Sequence, residues 1–435
     1  MINWARVLVW LLGAAPVGVA LLYVANEDTE STGAVLNALG RLTGVGGLAV
    51  LLVAAMISCR VPGFDRPFGG LTKLWQTHHK LGAAAFLLVL AHPVLLALGA
   101  ADVSARAAAR VLVPESFEWS TAWGWGGLLV MTAFLAPSFA FFGEPEFQRW
   151  RNVHRLAAVA VVSALAHMWL AARSIPEPMN TVLWVLFAGT AVAALGYRFL
   201  FSRIGRLRYV VAGVERPAAN VVELSLEPRE SPLHYDPGQF VYLTPYDTEL
   251  AAGRREEHPY TLSSSPTEER LRVAIKDLGD ASEALQHVRV GSEIRVEGPY
   301  GCFFASGEAS ERELWIAGGI GIAPFLGRAR YLAAARGAAE AVDVHLVYCV
   351  QDEARALYRD ELERLADIPG FRMTMHFFHA EGPLRQEFLA QHCPDYTERT
   401  AYLCGPLPLI ELATRELVTA GVPRRRIRSE ELTLL

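Results

Sequence analysis

Residues 77–93, THHKLGAAAFLLVLAHP, place His79 and His92 at the two ends of an apolar run. The 13 positions between them (92 − 79) correspond to roughly 20 Å along an α-helix. The hydrocarbon core of a bilayer is about 30 Å thick. The stretch therefore predicts a membrane-spanning helix with one histidine near each surface of the membrane.

A second stretch, residues 153–167 (VHRLAAVAVVSALAH), repeats the arrangement with His154 and His167. In both stretches the first histidine is followed by a basic residue and a leucine, and the separation is the same. A neutral imidazole is a normal axial ligand of haem iron, and ionisable side chains inside a membrane are usually functional. If the helices lie side by side, the pattern predicts two stacked haems, with His79 facing His154 and His92 facing His167.

Helical geometry does not decide whether His78 or His79 is the first histidine ligand of this helix. Thirteen residues rotate a straight helix by about 220°, whereas the fourteen from His78 to His92 return to within about 40° of the same face. Only His79 has the basic-leucine continuation that also follows His154. We therefore expect His79 to be the ligand, with a kink or an offset of the haem absorbing the rotation, and His78 is the alternative.

Long apolar runs dominate the chain from Met1 to about Phe201, and the remainder has the composition of a soluble protein. Basic residues are concentrated in the second and fourth connections between the runs and after the last run. The positive-inside rule then predicts an integral cell-membrane protein with both termini in the cytoplasm, and it places His79 and His154 on the inner side. The runs predict six spans, at about residues 7–25, 42–59, 81–100, 121–142, 155–172 and 182–201.

Composition excludes several other classes of protein. The net formal charge of −5 argues against a nucleic-acid partner. The five cysteines have no CxxC spacing and predict reduced thiols rather than a disulfide framework or a zinc site. The sequence contains no EF-hand or SH3-ligand segment, so we expect no obligatory protein partner and hypothesise constitutive activity.

From about Gly205 the pattern changes to short alternating strands between turn residues, which predicts an antiparallel β-barrel. Residues 258–264 (HPYTLSS) combine an aromatic ring with hydroxyls, and such a strand can lie along an isoalloxazine ring and bond its polar edge. Residues 275–282 (IKDLGDAS) end a strand and begin a short helix, whose free amides suit a pyrophosphate. An ordinary β pattern and a plain helix cap are the alternatives for these two segments.

The last third of the chain alternates strands and helices, which predicts a parallel α/β sheet. Its first unit, residues 313–337, is a strand, a glycine turn (GGIG, 318–321) and a helix with Pro324 in its first turn. The glycines would let the backbone approach a dinucleotide, although the turn is not a strict GxGxxG. Residues 404–406 (CGP) follow a later strand, at the end where such sheets bind ligands.

Taken in order, these motifs resemble the NADPH oxidase and ferric reductase superfamily over nearly the whole chain. The matching elements are the histidine pairs with HK and HR, then HPYTLSS, IKxxGxxS, GPYG, GGIGIAP and CGP. The resemblance implies a multidomain protein with two b-type haems, FAD and a nicotinamide nucleotide. Its domains would be a six-helix ferric-reductase-like transmembrane bundle (1–204), an FAD-binding antiparallel β-barrel (205–306) and a Rossmann-like α/β NAD(P)H-binding domain (307–435).

The resemblance also implies roles for single residues. Arg41, at the outer end of the second span, resembles the family arginine near the outer haem where oxygen is reduced; an interfacial snorkelling arginine is the alternative. The implied cofactor contacts are His258, Pro259, Tyr260, Thr261 and Ser263 for the flavin, Lys276, Gly279 and Ser282 for its phosphate side, Gly318, Gly319, Gly321 and Pro324 for the nucleotide turn, and Cys404, Gly405 and Pro406 beside the nicotinamide, with Cys404 also at the reacting centre.

Two positions depart from the family pattern. Family members often end with an aromatic residue that covers the flavin, and Leu432 is the nearest counterpart here. Where relatives often have an arginine after the second strand of the nucleotide domain, this chain has residues 350–352 (VQD). The choice between NADPH and NADH therefore stays open, with Arg355 or Arg359 as candidates for a 2′-phosphate contact.

The resemblance implies electron transfer from cytosolic NAD(P)H through FAD and the two haems to an acceptor outside the bilayer. We expect oxygen, giving superoxide, because two haems, Arg41 and the HPYTL motif fit the oxidases. A ferric chelate is the alternative, and a quinone or a periplasmic reductase is a third acceptor. The rival class is a membrane haem-binding sensor or anchor without turnover, which the flavin motifs disfavour.

Overall fold

The computed structural model describes residues 4–25, 30–113, 115–136, 147–171, 175–201, 206–304, 311–334, 342–367 and 369–431, so Leu432 lies outside the described residues. The chain divides into two compact units. Their bounds are residues 1–68 with 73–203, and residues 69–72 with 204–435.

The first unit is helical. Some of its helices begin at a serine cap: the hydroxyl of Ser31 accepts the N–H of Ala34, and that of Ser104 accepts the N–H of Ala107, both at 3.0 Å. The helices that the structure describes are α1 Trp4–Val24, α2 Thr32–Ile57, α3 Leu71–Ala101, α4 Ala105–Leu112, α5 Trp119–Leu135, α6 Phe147–His154, α7 Ala157–Ala171 and α8 Glu177–Gly196, followed by a π-helical turn, Tyr197–Phe201.

Membrane-spanning helices make up most of this unit, as the apolar runs predicted. The fourth predicted span, 121–142, falls on α5, whose 17 described residues end before residues 137–146, which lie outside the described part. A membrane-embedded helical domain is therefore confirmed, and the count of six spans is not. The described helical stretches that are long and apolar enough to cross a bilayer are five: Trp4–Val24, Thr32–Ile57, Leu71–Ala101, Trp150–Ala171 and Glu177–Leu200.

Helices α6 and α7 are separated by a break at Arg155 and Leu156, which lies within the membrane-length stretch Trp150–Ala171 and at the start of the predicted span 155–172. The N–H of Leu156 donates to the carbonyl of Val153 at 3.0 Å, and that of Ala158 donates to Arg155 at 3.2 Å. These i→i−3 bonds are of the 3₁₀ type, in which each residue turns by about 120° instead of about 100°. The break therefore supplies part of the rotation that the 13-residue histidine spacing requires.

The second unit begins with an antiparallel sheet. Leu262, just beyond its strand β4, makes one isolated bridge to Val273 of β5. No continuous ladder joins these two edge strands in the described residues, so a curled antiparallel sheet is confirmed and the closure into a barrel is not. Its strands are β1 Arg206–Ala218, β2 Val221–Pro228, β3 Phe240–Pro245, β4 His258–Thr261, β5 Leu271–Lys276 and β6 Glu293–Tyr300, in the order β4-β3-β6-β1-β2-β5, with α9 Asp280–Leu285 after β5.

A parallel sheet completes this unit and confirms the predicted α/β fold. Apolar side chains fill both of its faces, with Trp315 and Tyr348 on one side and Leu314 and Val347 on the other. Its elements are β7 Arg312–Gly318, α10 Ala323–Ala334, β8 Asp343–Val350, α11 Arg359–Leu365, β9 Phe371–Phe377, α12 Phe378–Glu381, α13 Gln386–His392, β10 Thr400–Gly405, α14 Leu407–Thr419 and β11 Ile427–Glu431, with strand order β11-β10-β7-β8-β9.

Candidate functional site

His92 of α3 and His167 of α7 face each other, with ring centroids 6.0 Å apart and ring planes at 74°. The Nδ1–H of His92 donates to the carbonyl of Gly40 at 2.7 Å, and that of His167 donates to the carbonyl of Ser120 at 2.7 Å. A carbonyl only accepts, so both rings carry their proton on Nδ1. This leaves each Nε2 lone pair available for a metal.

The geometry of this pair fits a six-coordinate iron. Two imidazoles that each bind a metal at about 2 Å on opposite sides have nitrogens about 4 Å apart and ring centroids roughly 6 Å apart. The observed 6.0 Å agrees with this value. Both rings border a cavity of 560 Å³ whose walls are mostly apolar, including Leu48, Leu128 and Phe187. Such a cavity suits a haem plane between the two rings.

A second pair joins α3 to the end of α6, and it contains His78 rather than His79. The rings of His78 and His154 have centroids 6.0 Å apart at 69°. The Nδ1–H of His78 donates to the carbonyl of Ala54 at 2.9 Å. His79 is exposed and its ring lies 5.9 Å from that of His78. The structure thus brings His78, and not the predicted His79, against His154, because the 14-residue spacing from His92 keeps His78 on the partner-facing side of α3.

His154 is positioned by aromatic rings. Trp150 stacks on it at a centroid distance of 4.9 Å and 29°, and Phe134 of α5 meets it edge-on at 5.1 Å. Its Nδ1 is buried without a hydrogen-bond partner among the described residues. The two histidines of this pair therefore differ, since only His78 bonds a carbonyl that orients its ring.

Arg41 of α2 lines the cavity that His92 and His167 border. Its Nε donates to the side-chain oxygen of Asn37 at 3.0 Å, and its Nη1 donates to the hydroxyl of Tyr23 at 3.4 Å. These two bonds hold a cationic side chain in the cavity that the His92–His167 pair borders.

In the second unit, three predicted segments meet at one groove of 110 Å³. It is lined by Tyr260 and Thr261 from β4, Lys276 at the end of β5, and Cys404 at the end of β10. Burial raises the pKa of the Tyr260 phenol, which therefore stays neutral. Burial, with a smaller contribution from Glu430, also raises the pKa of the Cys404 thiol well above its ordinary value. The HPYT strand and Cys404 of the CGP motif line this groove together.

The predicted flavin residues do not all turn toward this groove. Pro259, like Tyr260, lines it. The imidazole of His258 lies 3.5 Å from a carboxylate oxygen of Glu256. Ser263 is fully buried, and its hydroxyl donates to Glu223 at 2.6 Å. Ser282 has a local role, because its hydroxyl accepts the N–H of Leu278 and donates to the carbonyl of Gly279.

The glycine turn combines two functions. A Cβ on Gly321 would collide with the carbonyl of Cys404, and a Cβ on Gly405 would lie 3.0 Å from Cα of Gly318. Gly319 instead has φ +55° and faces open space. Gly318, Gly321 and Gly405 therefore let β7, β10 and the turn pack backbone against backbone, whereas Gly319 borders open space at the turn. Pro324 lies in the first turn of α10, as predicted.

Two groups near the groove were missed from the sequence. Glu430 of β11 pairs in register with Cys404 and lines the groove. Arg330 of α10 donates to both carboxylate oxygens of Glu361, at 2.7 and 2.8 Å, and to the carbonyl of Ser263 at 2.8 Å. Neither belongs to a motif; Arg330 is one of two arginines, with Arg328, in an otherwise apolar helix, and that charge was the available signal.

Comparison with known proteins gives three family matches in sequence order. A ferric reductase like transmembrane component matches residues 43–165, an FAD-binding domain matches 207–303, and an oxidoreductase NAD-binding domain matches 315–415. Membrane association and the binding of FAD and NAD(P)H follow from these matches.

Individual relatives match only part of the chain. The glycine betaine monooxygenase reductase subunit of Chromohalobacter salexigens is 28% identical over 202 residues, which are 43% of this chain and 53% of that protein. An NADPH oxidoreductase of Mycobacterium tuberculosis is 27% identical over 228 residues, 50% of this chain and 58% of that protein. This chain thus spans just over half the length of these curated relatives. The flavohem-like FAD/NAD-binding domain of a Vibrio cholerae nitric oxide dioxygenase covers 52% of this chain and 98% of its own, at 24% identity and a TM-score of 0.45.

Proposed function

We propose a function for this chain from the superfamily to which it belongs: a ferric-reductase-like transmembrane domain, an FAD-binding domain and an NAD-binding domain, in this order, are the architecture of the ferric reductase and NADPH oxidase-like superfamily. The chain is an oxidoreductase of the membrane. It takes electrons from NAD(P)H on the cytoplasmic side and delivers them through FAD and two b-type haems to an acceptor on the other side. The proposed domains are residues 1–204, 205–306 and 307–435, with both termini cytoplasmic.

The observation that carries this proposal is the pair of 6.0 Å imidazole contacts on α3 and the α6–α7 span. His78 and His154 would hold the inner haem iron, and His92 and His167 the outer one. FAD converts hydride into single electrons when it is bound, and the haems carry those electrons through a layer that no soluble carrier crosses. The backbone carbonyls of Gly40, Ser120 and Ala54 orient three of the four imidazoles.

Residues that line the groove of the second unit would position the nicotinamide donor. Cys404 keeps its proton at neutral pH because burial disfavours the thiolate, so it offers a neutral surface beside the nicotinamide. Tyr260 is neutral for the same reason. Tyr260 and Lys276 line the same groove, where they would contact the flavin and its phosphate side.

Oxygen is the proposed acceptor, with superoxide as the product. Arg41 supports this, because a guanidinium in the cavity of the outer histidine pair stabilises an anionic product. No general acid is needed, because one-electron reduction of oxygen to superoxide transfers no proton. A ferric chelate is the competing acceptor within the same class.

The test uses the full-length protein purified in detergent with FAD. NADH or NADPH is added without oxygen, the haem spectrum is recorded, and air is then admitted. Haem reduction followed by fast reoxidation, with cytochrome c reduction that superoxide dismutase suppresses, is the expected result. Slow reoxidation in air but fast reoxidation by ferric citrate would replace the oxidase with a ferric reductase. Protein that binds no haem would overturn the proposal.

A further inference from the structure

The carboxyl ends of β8 and β9 form the edge of the parallel sheet next to the glycine turn. These strands are neighbours, with Val350 paired to Phe377 at their last residues. In dinucleotide-binding sheets of this kind, an acidic residue after the second strand bonds the ribose 2′-hydroxyl of NAD, whereas an arginine accommodates the 2′-phosphate of NADP. β8 is the second strand of this domain, and Asp352 is the second residue after it.

This edge is acidic. Residues 351–359 and 378–381 carry three carboxylates, Asp352, Glu353 and Glu381, and two guanidinium groups, Arg355 and Arg359, a formal charge of −1 (2 − 3). A 2′-phosphate brings a charge of about −2 and needs arginine or lysine donors. It would approach Asp352 here.

The two arginines that could serve a 2′-phosphate are already paired. Nε of Arg355 lies 3.6 Å from a carboxylate oxygen of Asp352 itself. Arg359 contacts Glu353, and its Nε donates to Glu363 at 2.7 Å. His379, after β9, has its Nδ1 3.7 Å from Asp352. The cations of this edge therefore hold its carboxylates in place, and recruiting one for a phosphate would break an ion pair.

One carboxylate oxygen of Asp352 accepts no hydrogen bond from the described residues. Its Oδ2 faces Arg355 and His379, but its Oδ1 is buried and has no hydrogen-bond partner among the described residues. A buried acceptor without a donor is costly, and a donor supplied by a ligand removes that cost. A ribose hydroxyl is such a donor, and a phosphate oxygen at neutral pH is not.

We infer that the donor of this chain is NADH, and that Asp352 sets the preference by accepting the ribose 2′-hydroxyl and repelling a 2′-phosphate. The inference rests on the proposed function only in requiring that a nicotinamide nucleotide reduces the flavin. NADH use would differ from the use of NADPH that appears in the name of the superfamily and in the name of the M. tuberculosis relative.

The test measures kcat and KM with NADH and with NADPH on the full-length protein loaded with FAD. Ferricyanide is the acceptor, because it takes electrons from flavin without the haems or the terminal acceptor. The expected kcat/KM favours NADH by about tenfold or more. Asp352→Asn should lower KM for NADPH by about tenfold and raise KM for NADH, with kcat nearly unchanged. Asp360→Asn removes the same charge from an exposed site on α11 and should change neither the KM for NADPH nor the KM for NADH.

Calorimetric titration with NAD⁺ and NADP⁺ gives a readout that needs no turnover, and NAD⁺ should bind the wild type more tightly. Equal or better kcat/KM with NADPH, or an Asp352→Asn effect no larger than that of Asp360→Asn, would overturn the inference and leave the proposed function standing. Failure of both donors to reduce the bound FAD would overturn the proposed function and the inference with it.

Discussion

A Cβ atom on Gly44 would lie 2.7 Å from Nδ1 of His92. The carbonyl that His92 bonds is that of Gly40, one helical turn earlier on the same helix. A side chain at position 44 would cover that carbonyl, since helical side chains lean toward the preceding turn. The outer pair repeats this relationship on α5, where a Cβ on Gly124 would lie 2.9 Å from Nδ1 of His167, which bonds Ser120. The orientation of both imidazoles therefore depends on α2 and α5, the helices that supply the two carbonyls.

Gly44→Ala should displace the His92 ring and break its bond to Gly40. Loss of the hydrogen bond that orients a metal-binding histidine typically costs about 10–100-fold in metal affinity or activity. We expect reduced occupancy of the outer haem and an altered low-temperature haem spectrum and redox midpoint. Gly46→Ala is the matched control, because a Cβ there would meet its nearest neighbours at 3.9 Å. Equal haem content and equal spectra in the two variants would contradict the prediction.

His78→Ala should lose the inner haem, and His79→Ala should keep both haems, because only His78 faces His154. The measurement is the pyridine haemochrome content per polypeptide, compared with wild type. Loss of one haem in His79→Ala with full content in His78→Ala would restore the assignment that the HK and HR continuations suggested.

Arg330 joins the nucleotide domain to the flavin sheet. Its side chain is 8% exposed, it bonds Glu361 and Ser263, and it lies 3.6 Å from Glu223. Burial alone would lower the pKa of Arg330, but Glu361 and Glu223 raise it, so the guanidinium stays charged. Removing one partner of a buried ion pair costs about 3–5 kcal/mol. Arg330→Met should therefore release FAD at a temperature lower by roughly 6–20 °C, measured by flavin fluorescence.

Arg364→Met is the control for this change, because it removes an exposed arginine from the neighbouring helix α11. A melting temperature for Arg330→Met equal to that of Arg364→Met would show that the Arg330 network does not stabilise the reductase half.

His345 should make the stability of the reductase half sensitive to acid. It is 3% exposed, and its Nε2 lies 2.9 Å from the hydroxyl of Thr374. Burial, together with Arg372 and Arg399, lowers its pKa from 6.5 to about 4. The unfolded chain therefore binds the proton first as the pH falls. The stability that His345 contributes is complete above pH 6.5 and is lost toward pH 4, by at most about 1.4 kcal/mol per pH unit.

His345→Gln should flatten this dependence, measured as the midpoint of thermal FAD release between about pH 7 and about pH 4.5. His287→Gln changes an exposed histidine in the same unit and should keep the wild-type slope. An unchanged slope in His345→Gln would assign the acid sensitivity to other groups.

The sequence predicted features that depend on local patterns. The histidine repeat, the glycine turn and the parallel sheet come from periodicity and from residues with strong backbone preferences, and the structure has all three. Whether His78 or His79 faces His154 depends on how α3 is rotated about its axis relative to α6. A sequence motif carries no information about that rotation. Glu430 reaches the groove through the pairing of β11 with β10, a contact between strands that no local pattern encodes.

The turn at Arg155 and Leu156 lies in the histidine-bearing stretch whose spacing is the shorter by a single residue. Fourteen positions separate His78 from His92 (92 − 78), and thirteen separate His154 from His167 (167 − 154). Inserting one residue at that turn would equalise the spacings and allow an unbroken helix. A protein engineer who wants a symmetric two-cofactor bundle, assembled from two copies of one short peptide, therefore has a defined place to begin.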